Sequence, residues 1–440
     1  MEDIQPKQIS TIEKFEFMWL LILATDLFLN YIPSIIYILT FILFVWGSSK
    51  IELSFLLIFF PGIMLVDVFD QIINGNTALL ILIVAGLLLI SKDIIQLKAD
   101  IFKKMVPLLY ILLGFAITYI YAPKGYYSGY KIVAVLINGI AYFLFLAVFI
   151  RTNNFNNIRF SLFLLFLFIF FVKMAYIKGV ISNPQSIIDF GFIRRNLDDS
   201  LNLGIRYTGY HQFGALALFA IIFLLAGTKK LNLLHIFIII TSIYFGFLSG
   251  ARQMIFGIFV ILIVYIIKYF KNNLTIIIPT FIFIFAFSTL SLSEIKIPFI
   301  SDLLLSNEVY KEAYGRSDLY SEALNIFKEN PLLGVGIGGF DPTGSTRDYP
   351  HNILLEILAE GGVFMVSIII VTIYYVKKRS GYKWWDITEN GTVFLFLIIG
   401  FVIRAVSSSD LIENIVLISA LMAIGIYSGM PKYDEIDTTI

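Results

Sequence analysis

Read along the chain, apolar runs are broken only briefly by polar residues. Mostly apolar stretches of about 15 to 25 residues, with at most two charges each, recur fourteen times, near 17–31, 33–47, 52–68, 77–91, 106–121, 132–150, 158–176, 210–226, 231–248, 252–270, 274–292, 352–376, 392–408 and 411–428. A bilayer core takes roughly 20 helical residues, and only segments that satisfy their own backbone hydrogen bonds cross it. Each run therefore predicts a transmembrane helix. Several are short, and Asn30 and Pro33 alone divide the first two, so the pattern predicts twelve to fourteen spans. Two stretches break the rhythm, 177–209 and 293–350, both too long and too polar for simple turns. No short apolar segment with a small-residue cleavage site precedes the first span, which is expected to remain as an anchor. No repeat and no Pro- or Ser-rich linker divides the chain, so residues 1–440 are read as one all-α, polytopic membrane domain.

Composition agrees with that reading. Hydrophobic residues make up 59% of the chain and charged residues 14%, against about 25% charged in soluble domains. A mean hydropathy of +0.88 leaves too little polar surface for a water-soluble globule. The 32 basic and 31 acidic residues nearly cancel, which gives no reason to expect nucleic acid as a partner. The absence of cysteine removes disulfides, zinc-thiolate sites and thiol chemistry from consideration.

Where the charges sit carries more than their sum. Basic residues mark cytoplasmic loops. With fourteen spans and an inward N-terminus, eighteen of the 32 fall inside: Lys7, Lys14, Lys50, Lys92, Lys98, Lys103, Lys104, Arg151, Arg159, Lys229, Lys230, Lys268, Lys271, Lys377, Lys378, Arg379, Lys383 and Lys432. The short outer turns hold Lys124, Lys131, Arg252 and Arg404. Both termini are then cytoplasmic and both long loops extracytoplasmic. Arginine reverses the lysine bias, with seven of ten outside: Arg194, Arg195, Arg206, Arg252, Arg316, Arg347 and Arg404. Guanidinium recognises phosphate and carboxylate in bidentate fashion, so the outer face is expected to hold an anion. The alternative is small-number scatter with arginines reaching for lipid headgroups.

In the second long loop, SDLYSEALNIFKENP places Leu319, Ala323, Leu324, Ile326 and Phe327 at helical spacing. The spacing predicts an amphipathic helix near 317–328 with Ser317 as N-cap, which would put Arg316 beside first-turn amides in an anion-binding arrangement. The competing reading is an arginine that faces water. Next comes GVGIGGF, residues 334–340. It follows no strand and precedes no P-loop lysine, so nucleotide binding is rejected. Its glycines are expected to permit tight turns or close approach of backbone to a substrate. DYPHNILLEILAEGGVF then opens the twelfth span, with Asn352, Glu356 and Glu360 recurring every four residues on one face. Glu360 lies roughly 13 Å beyond His351 along the axis. A carboxylate at that depth marks a polar cavity or a charge partner, and Arg252, Arg404 and Lys173 are candidate partners. A buried structural pair is the competing role for Glu360. An unperturbed imidazole exchanges protons near neutral pH, so His351 is a candidate for proton transfer; its alternative is a loop histidine without a role. In the first long loop Arg206 precedes the membrane entry, and His211 either anchors at headgroups or takes part in chemistry. His235 is read as structural.

Taken in order, these pieces resemble the O-antigen polymerase and O-antigen ligase family of bacterial envelope glycan enzymes. The resemblance rests on Gly315-Arg316 before a helix, Asn330-Pro331-Leu332-Leu333-Gly334-Val335-Gly336, and His351-Asn352 with Leu354, Glu360 and Gly361. Arg206-Tyr207-Thr208-Gly209 before His211-Gln212-Phe213-Gly214, and Ser249-Gly250-Ala251-Arg252, extend it over roughly 204–376. The chain departs from the family at Gln212, where a small residue or Pro is common.

The resemblance implies a GT-C-like glycosyltransferase of the bacterial inner membrane that needs no metal or other cofactor. It implies transfer of an oligosaccharide from polyprenyl pyrophosphate to a sugar hydroxyl at the outer face. Arg316 is then carried to pyrophosphate binding with Arg206 and Arg252 as helpers, His351 to general base, and Glu360 to its reserve or orienting group. Asn352 and His211 join the substrate-binding set. A chain-length regulator and a flippase are implied as further partners. Polymerisation of lipid-linked repeat units is the first reading, and an O-antigen ligase or protein oligosaccharyltransferase the second. A polysaccharide flippase or transporter is the reading from another class; against it, ionisable residues crowd the outer third and no matching halves are present.

Overall fold

The computed structural model describes residues 11–60, 75–97, 100–152, 157–177, 179–181, 192–193, 210–226, 231–269, 307–341, 349–380, 389–407 and 410–427. Among them there is no strand. The expected span at 274–292, most of the loop 177–209 and the start of the loop 293–350 lie outside the described residues. The helices fall into two compact units, residues 1–48 with 155–269 and residues 49–154 with 270–440. Each is built from discontinuous stretches, so no linker in the sequence marks the division.

The first unit holds α1 (Thr11–Leu29), α2 (Ser34–Gly47), α8 (Asn157–Ile177), α9 (Tyr210–Ala226), α10 (Leu233–Ser249) and α11 (Arg252–Tyr269). Helix α8 is apolar all round and buried from Phe160 through Lys173, as a helix surrounded by others must be. Aromatic stacking joins it to its neighbours: Phe41 on Phe170 with centroids 4.3 Å apart, Phe44 on Phe166 at 4.1 Å and Phe168 on Phe245 at 4.3 Å. His235 completes a capping box at the start of α10, where its Nδ1 accepts from Asn232 N at 3.0 Å and Asn232 Oδ1 accepts from His235 N at 3.0 Å. The structural reading of that histidine stands.

The second unit holds α3 (Lys50–Phe59), α4 (Gly75–Leu89), α5 (Ser91–Gln96), α6 (Asp100–Tyr121), α7 (Tyr126–Thr152), α12 (Asn307–Glu329), α13 (Ile353–Ser380), α14 (Glu389–Ser407) and α15 (Leu411–Tyr427). Its centre is the α7–α15 pair, drawn together where Ser419 Oγ donates to Gly139 O at 2.9 Å. Small residues at such contacts let helices approach closely where lipid supplies no hydrophobic drive.

Among the described residues, four helices are long and apolar enough to cross a membrane: Ile101–Tyr121, Tyr127–Arg151, Asn157–Ile177 and Ile353–Arg379. Six shorter apolar helices of 10–17 residues accompany them. The two at unit centres are buried over 72% and 83% of their apolar windows, whereas Ile101–Tyr121 and Ile353–Arg379 are buried over only 44%. The latter pair leaves an apolar face outward, as do Trp46, Ile120 and Leu88. Such faces suit hydrocarbon and not water, and the described residues form a membrane-integral set of helices.

Candidate functional site at the head of α13

The GVGIGGF segment has a definite role in the second unit. Helix α13 is broken at Gly362, whose φ of 58° and ψ of −163° lie outside helical space. A break inside a span frees backbone groups that lipid cannot satisfy. The chain after α12 supplies the partners. Val335 N donates to Ala359 O at 3.0 Å and Gly336 N to Glu360 O at 2.9 Å; beyond the break, Val363 N donates to Pro331 O at 2.9 Å and Phe364 N to Leu332 O at 3.0 Å. Residues 331–336 are thus spliced into the gap. The expected close approach of glycine backbone is to the protein's own backbone: a Cβ on Gly334 would stand 2.5 Å from the Glu360 carbonyl carbon, and one on Gly336 would stand 2.4 Å from Ala122 Cα. Both residues have positive φ.

Helix α12 corrects one expectation. It starts at Asn307, not at Ser317, because NEVYKEAY is itself rich in helix formers and Gly315 weakens a helix without ending it. Arg316 and Ser317 lie in the helix interior, so Ser317 is no N-cap and the first-turn amides are not beside Arg316. Leu319, Ala323 and Ile326 face Phe340, Leu355 and Ala359 of the splice and α13, while Leu324 turns outward.

Ahead of α13, His351 adopts a left-handed backbone with φ of 50°. Such a conformation is uncommon outside glycine and persists where the surroundings hold it. Asn352 does the holding: its Oδ1 accepts from Leu354 N at 3.0 Å and Leu355 N at 3.3 Å, and its carbonyl accepts from Glu356 N at 3.0 Å, a full N-cap. The Tyr349 ring packs on the imidazole with centroids 4.4 Å apart. Burial pushes the Tyr349 phenol far above its ordinary range, and the nearby carboxylates of Asp410, Glu413 and Glu356 push the same way, so its hydroxyl stays neutral.

Below the cap, Glu356 and Glu360 are buried and converge on one cation. Lys131 Nζ, in the second turn of α7, lies 2.6 Å from Glu356 Oε1 and 2.7 Å from Glu360 Oε1. Of the expected partners, Arg404 pairs with Glu413 and Lys173 with Asp26, and the Arg252 side chain lies outside the described residues. Glu356 Oε1 also accepts from Leu411 N at 3.1 Å. Asp410 caps the same helix, accepting from Glu413 N at 3.3 Å, and its Oδ2 accepts from Tyr127 OH at 3.4 Å. Burial pushes the Asp410 carboxyl up to about 6; Glu413 and Glu360 add to that, and Lys131 opposes it. The helix heads here are therefore occupied by the protein's own side chains.

Of the remaining expected residues, Arg206 lies outside the described residues, and Arg316 is placed only as a backbone position on α12. His211 belongs to the first unit, where its Nδ1 lies 2.7 Å from Gln253 Nε2, one residue after Arg252 at the head of α11. The structure thus places His351 and Asn352 at the head of α13 with Glu360 on the same helix further down, and separately His211 with the start of α11. Lys131, Glu356, Tyr349 and Asp410 were not singled out as site residues by sequence. A lone lysine at the head of an apolar run, and an aspartate after Ser407-Ser408-Ser409 where a helix must begin, were the available signals. Among the described residues no cluster of three or more His, Asp or Glu is arranged to hold a metal ion.

Residues 237–370, from within α10 to within α13, match the family model described as O-Antigen ligase. No curated protein and no solved structure matches the chain. The matched segment contains the splice, the His351-Asn352 cap and the buried glutamates, and it supports the resemblance to the O-antigen polymerase and ligase family.

Proposed function

We propose that the chain polymerises lipid-linked oligosaccharide repeat units of an O-antigen, capsular or exopolysaccharide type. It would take the growing glycan from polyprenyl pyrophosphate at the outer face of the inner membrane and pass it to a sugar hydroxyl of the next unit. The observation that carries this reading is the strained, capped His351 at the head of α13, inside the segment that matches the O-antigen ligase family.

In this reading the bond between the anomeric carbon and the phosphate oxygen breaks, and its electron pair leaves with the pyrophosphate. Arg316, Arg206 and Arg252 stabilise that growing negative charge more in the transition state than in the ground state. A ring nitrogen of His351 takes the acceptor hydroxyl proton as the new glycosidic bond forms. Asn352 fixes the imidazole's approach through the cap, and Glu360 supports it from below through Lys131. Three carboxylates around one ammonium make the α13 head a poor place for a pyrophosphate and a suitable neighbour for the cationic anomeric centre. His211 joins the substrate-binding set, and a chain-length regulator and a flippase are the partners such a pathway supplies. The family's printed description names a ligase, so ligation to a lipid acceptor is the second reading.

Complementation of a deletion strain tests this. Arg316→Ala, Arg316→Lys and His351→Ala should each abolish long-chain glycan while the protein persists in the membrane; normal ladders would refute the site. Single repeat units left on the surface of the deletion strain support polymerisation, and loss of all surface glycan favours the ligase.

A further inference from the structure

Two glutamates on one lysine are more than charge neutralisation needs. A buried carboxylate is costly to desolvate even when paired, and a second one on the same ammonium adds that cost with no further cation. Among the described residues, Glu356 Oε2 and Glu360 Oε2 have no hydrogen-bond partner, so the arrangement is not tuned for stability. What the second contact adds is geometry. Glu356 and Glu360 lie one turn apart on α13, and holding both to a single point on α7 fixes the depth of α13 and its rotation about its own axis. With 3.6 residues per turn, rotation determines where every side chain on the helix head points.

The remaining ties converge on the same end. Glu356 reaches Leu411 N of α15 at 3.1 Å, and Asn352 Nδ2 reaches Val406 O of α14 at 3.5 Å. The splice holds α13 from the side of α12. Lys131 is 1% exposed, and its ammonium is taken up by the two glutamates.

We propose that Lys131 is a positioning residue of the transfer centre, setting the depth and rotation of the α13 head through its paired bonds to Glu356 and Glu360, and hence the aim of His351. This rests on the glycosyl-transfer reading given above. Misplacement by about 1 Å of a catalytic group costs on the order of a hundredfold in rate.

Lys131→Met alone strands two carboxylates and can fail to fold, so the neutral triple variant Lys131→Met/Glu356→Gln/Glu360→Gln is the informative one. The chain has no cysteine, so Leu354→Cys, at a position 54% exposed in the first turn of α13, carries a single nitroxide label. In proteoliposomes supplied with a polyprenyl-pyrophosphate-linked oligosaccharide, the triple variant should lose about a hundredfold in kcat while the donor KM stays within about twofold. The label at position 354 should gain mobility relative to the same label in the parent. Wild-type kcat in the triple variant, or an immobile label, overturns the proposal and leaves Lys131 as a charge-balancing residue. If the parent protein transfers nothing from any lipid-linked donor, the transfer reading fails by itself, and label mobility alone decides whether Lys131 positions α13.

Discussion

Among the described residues each unit buries one lysine near a helix end, and the two lysines are treated differently. In the first unit Lys173 Nζ lies 2.8 Å from Asp26 Oδ2 and 2.7 Å from Asn30 Oδ1. Asp26 Oδ1 accepts from Ile32 N at 2.6 Å, and the Tyr37 hydroxyl donates to Asp26 Oδ2 at 2.9 Å. The Tyr37 ring lies under the ammonium at 5.0 Å. One cation meets one carboxylate, every oxygen of that carboxylate is used, and the whole ties α1 and the turn after it to α8. In the second unit one ammonium meets two glutamates with Asp410 close by, and two carboxylate oxygens stay unsatisfied. Closed charge pairs belong to scaffolding. An over-acidic, incompletely satisfied set beside a strained histidine is what a functional site leaves behind.

The largest expected contrast comes from removing one charge in each place. Lys173→Met and Asp26→Asn should each cost roughly 3–5 kcal/mol, because either leaves a buried group without its counter-charge. Glu356→Gln should cost no more than about 1–2 kcal/mol, because Glu360 still holds Lys131 and the amide still accepts a hydrogen bond. Chemical unfolding of the purified variants in detergent micelles measures both, and equal losses would erase the distinction.

Somewhat smaller is the effect of closing the break that the splice serves. Gly362→Ala places a Cβ 2.6 Å from the Leu332 carbonyl carbon at a positive φ, and should destabilise the second unit by roughly 3 kcal/mol. Limited proteolysis between α12 and α13 should accelerate with it, and an unchanged cleavage rate would argue against the splice.

The smallest effect is a pH dependence. The folded chain holds a proton on Asp410 up to about pH 6, whereas the unfolded chain releases it near the ordinary carboxylate value. The resulting stabilisation is complete below about pH 4 and is lost as pH rises through about 6; after screening of its half-buried carboxyl it amounts to at most about 2 kcal/mol. Melting temperature measured from pH 4 to 7 should fall with pH in the parent and fall less steeply in Asp410→Asn.

Much of this was legible in the sequence. Hydropathy marked the helices, and the four-residue recurrence of Asn352, Glu356 and Glu360 placed them on one face, which α13 retains. The residue order around His351-Asn352 pointed to the family now supported over 237–370. What failed to show has physical causes. The partner of Glu360 sits more than two hundred residues away on α7, and pairing at that separation is set by tertiary packing. Helix α12 begins ten residues early because Ser317-Asp318 resembles a helix start as well as it suits a helix interior. The splice was invisible because a Gly361-Gly362 pair inside an apolar run reads as a tolerated weakness until a loop is seen to fill it.

The central claim is that the head of α13 is a glycosyl-transfer centre and the Asp26–Lys173 cluster is scaffold. Purified protein in liposomes, given a defined polyprenyl-pyrophosphate-linked oligosaccharide, tests it directly by the length of lipid-linked product. Wild-type protein should elongate the glycan, and His351→Ala, folded and inserted, should leave the substrate at its starting length. Elongation by His351→Ala at the wild-type rate would contradict the claim.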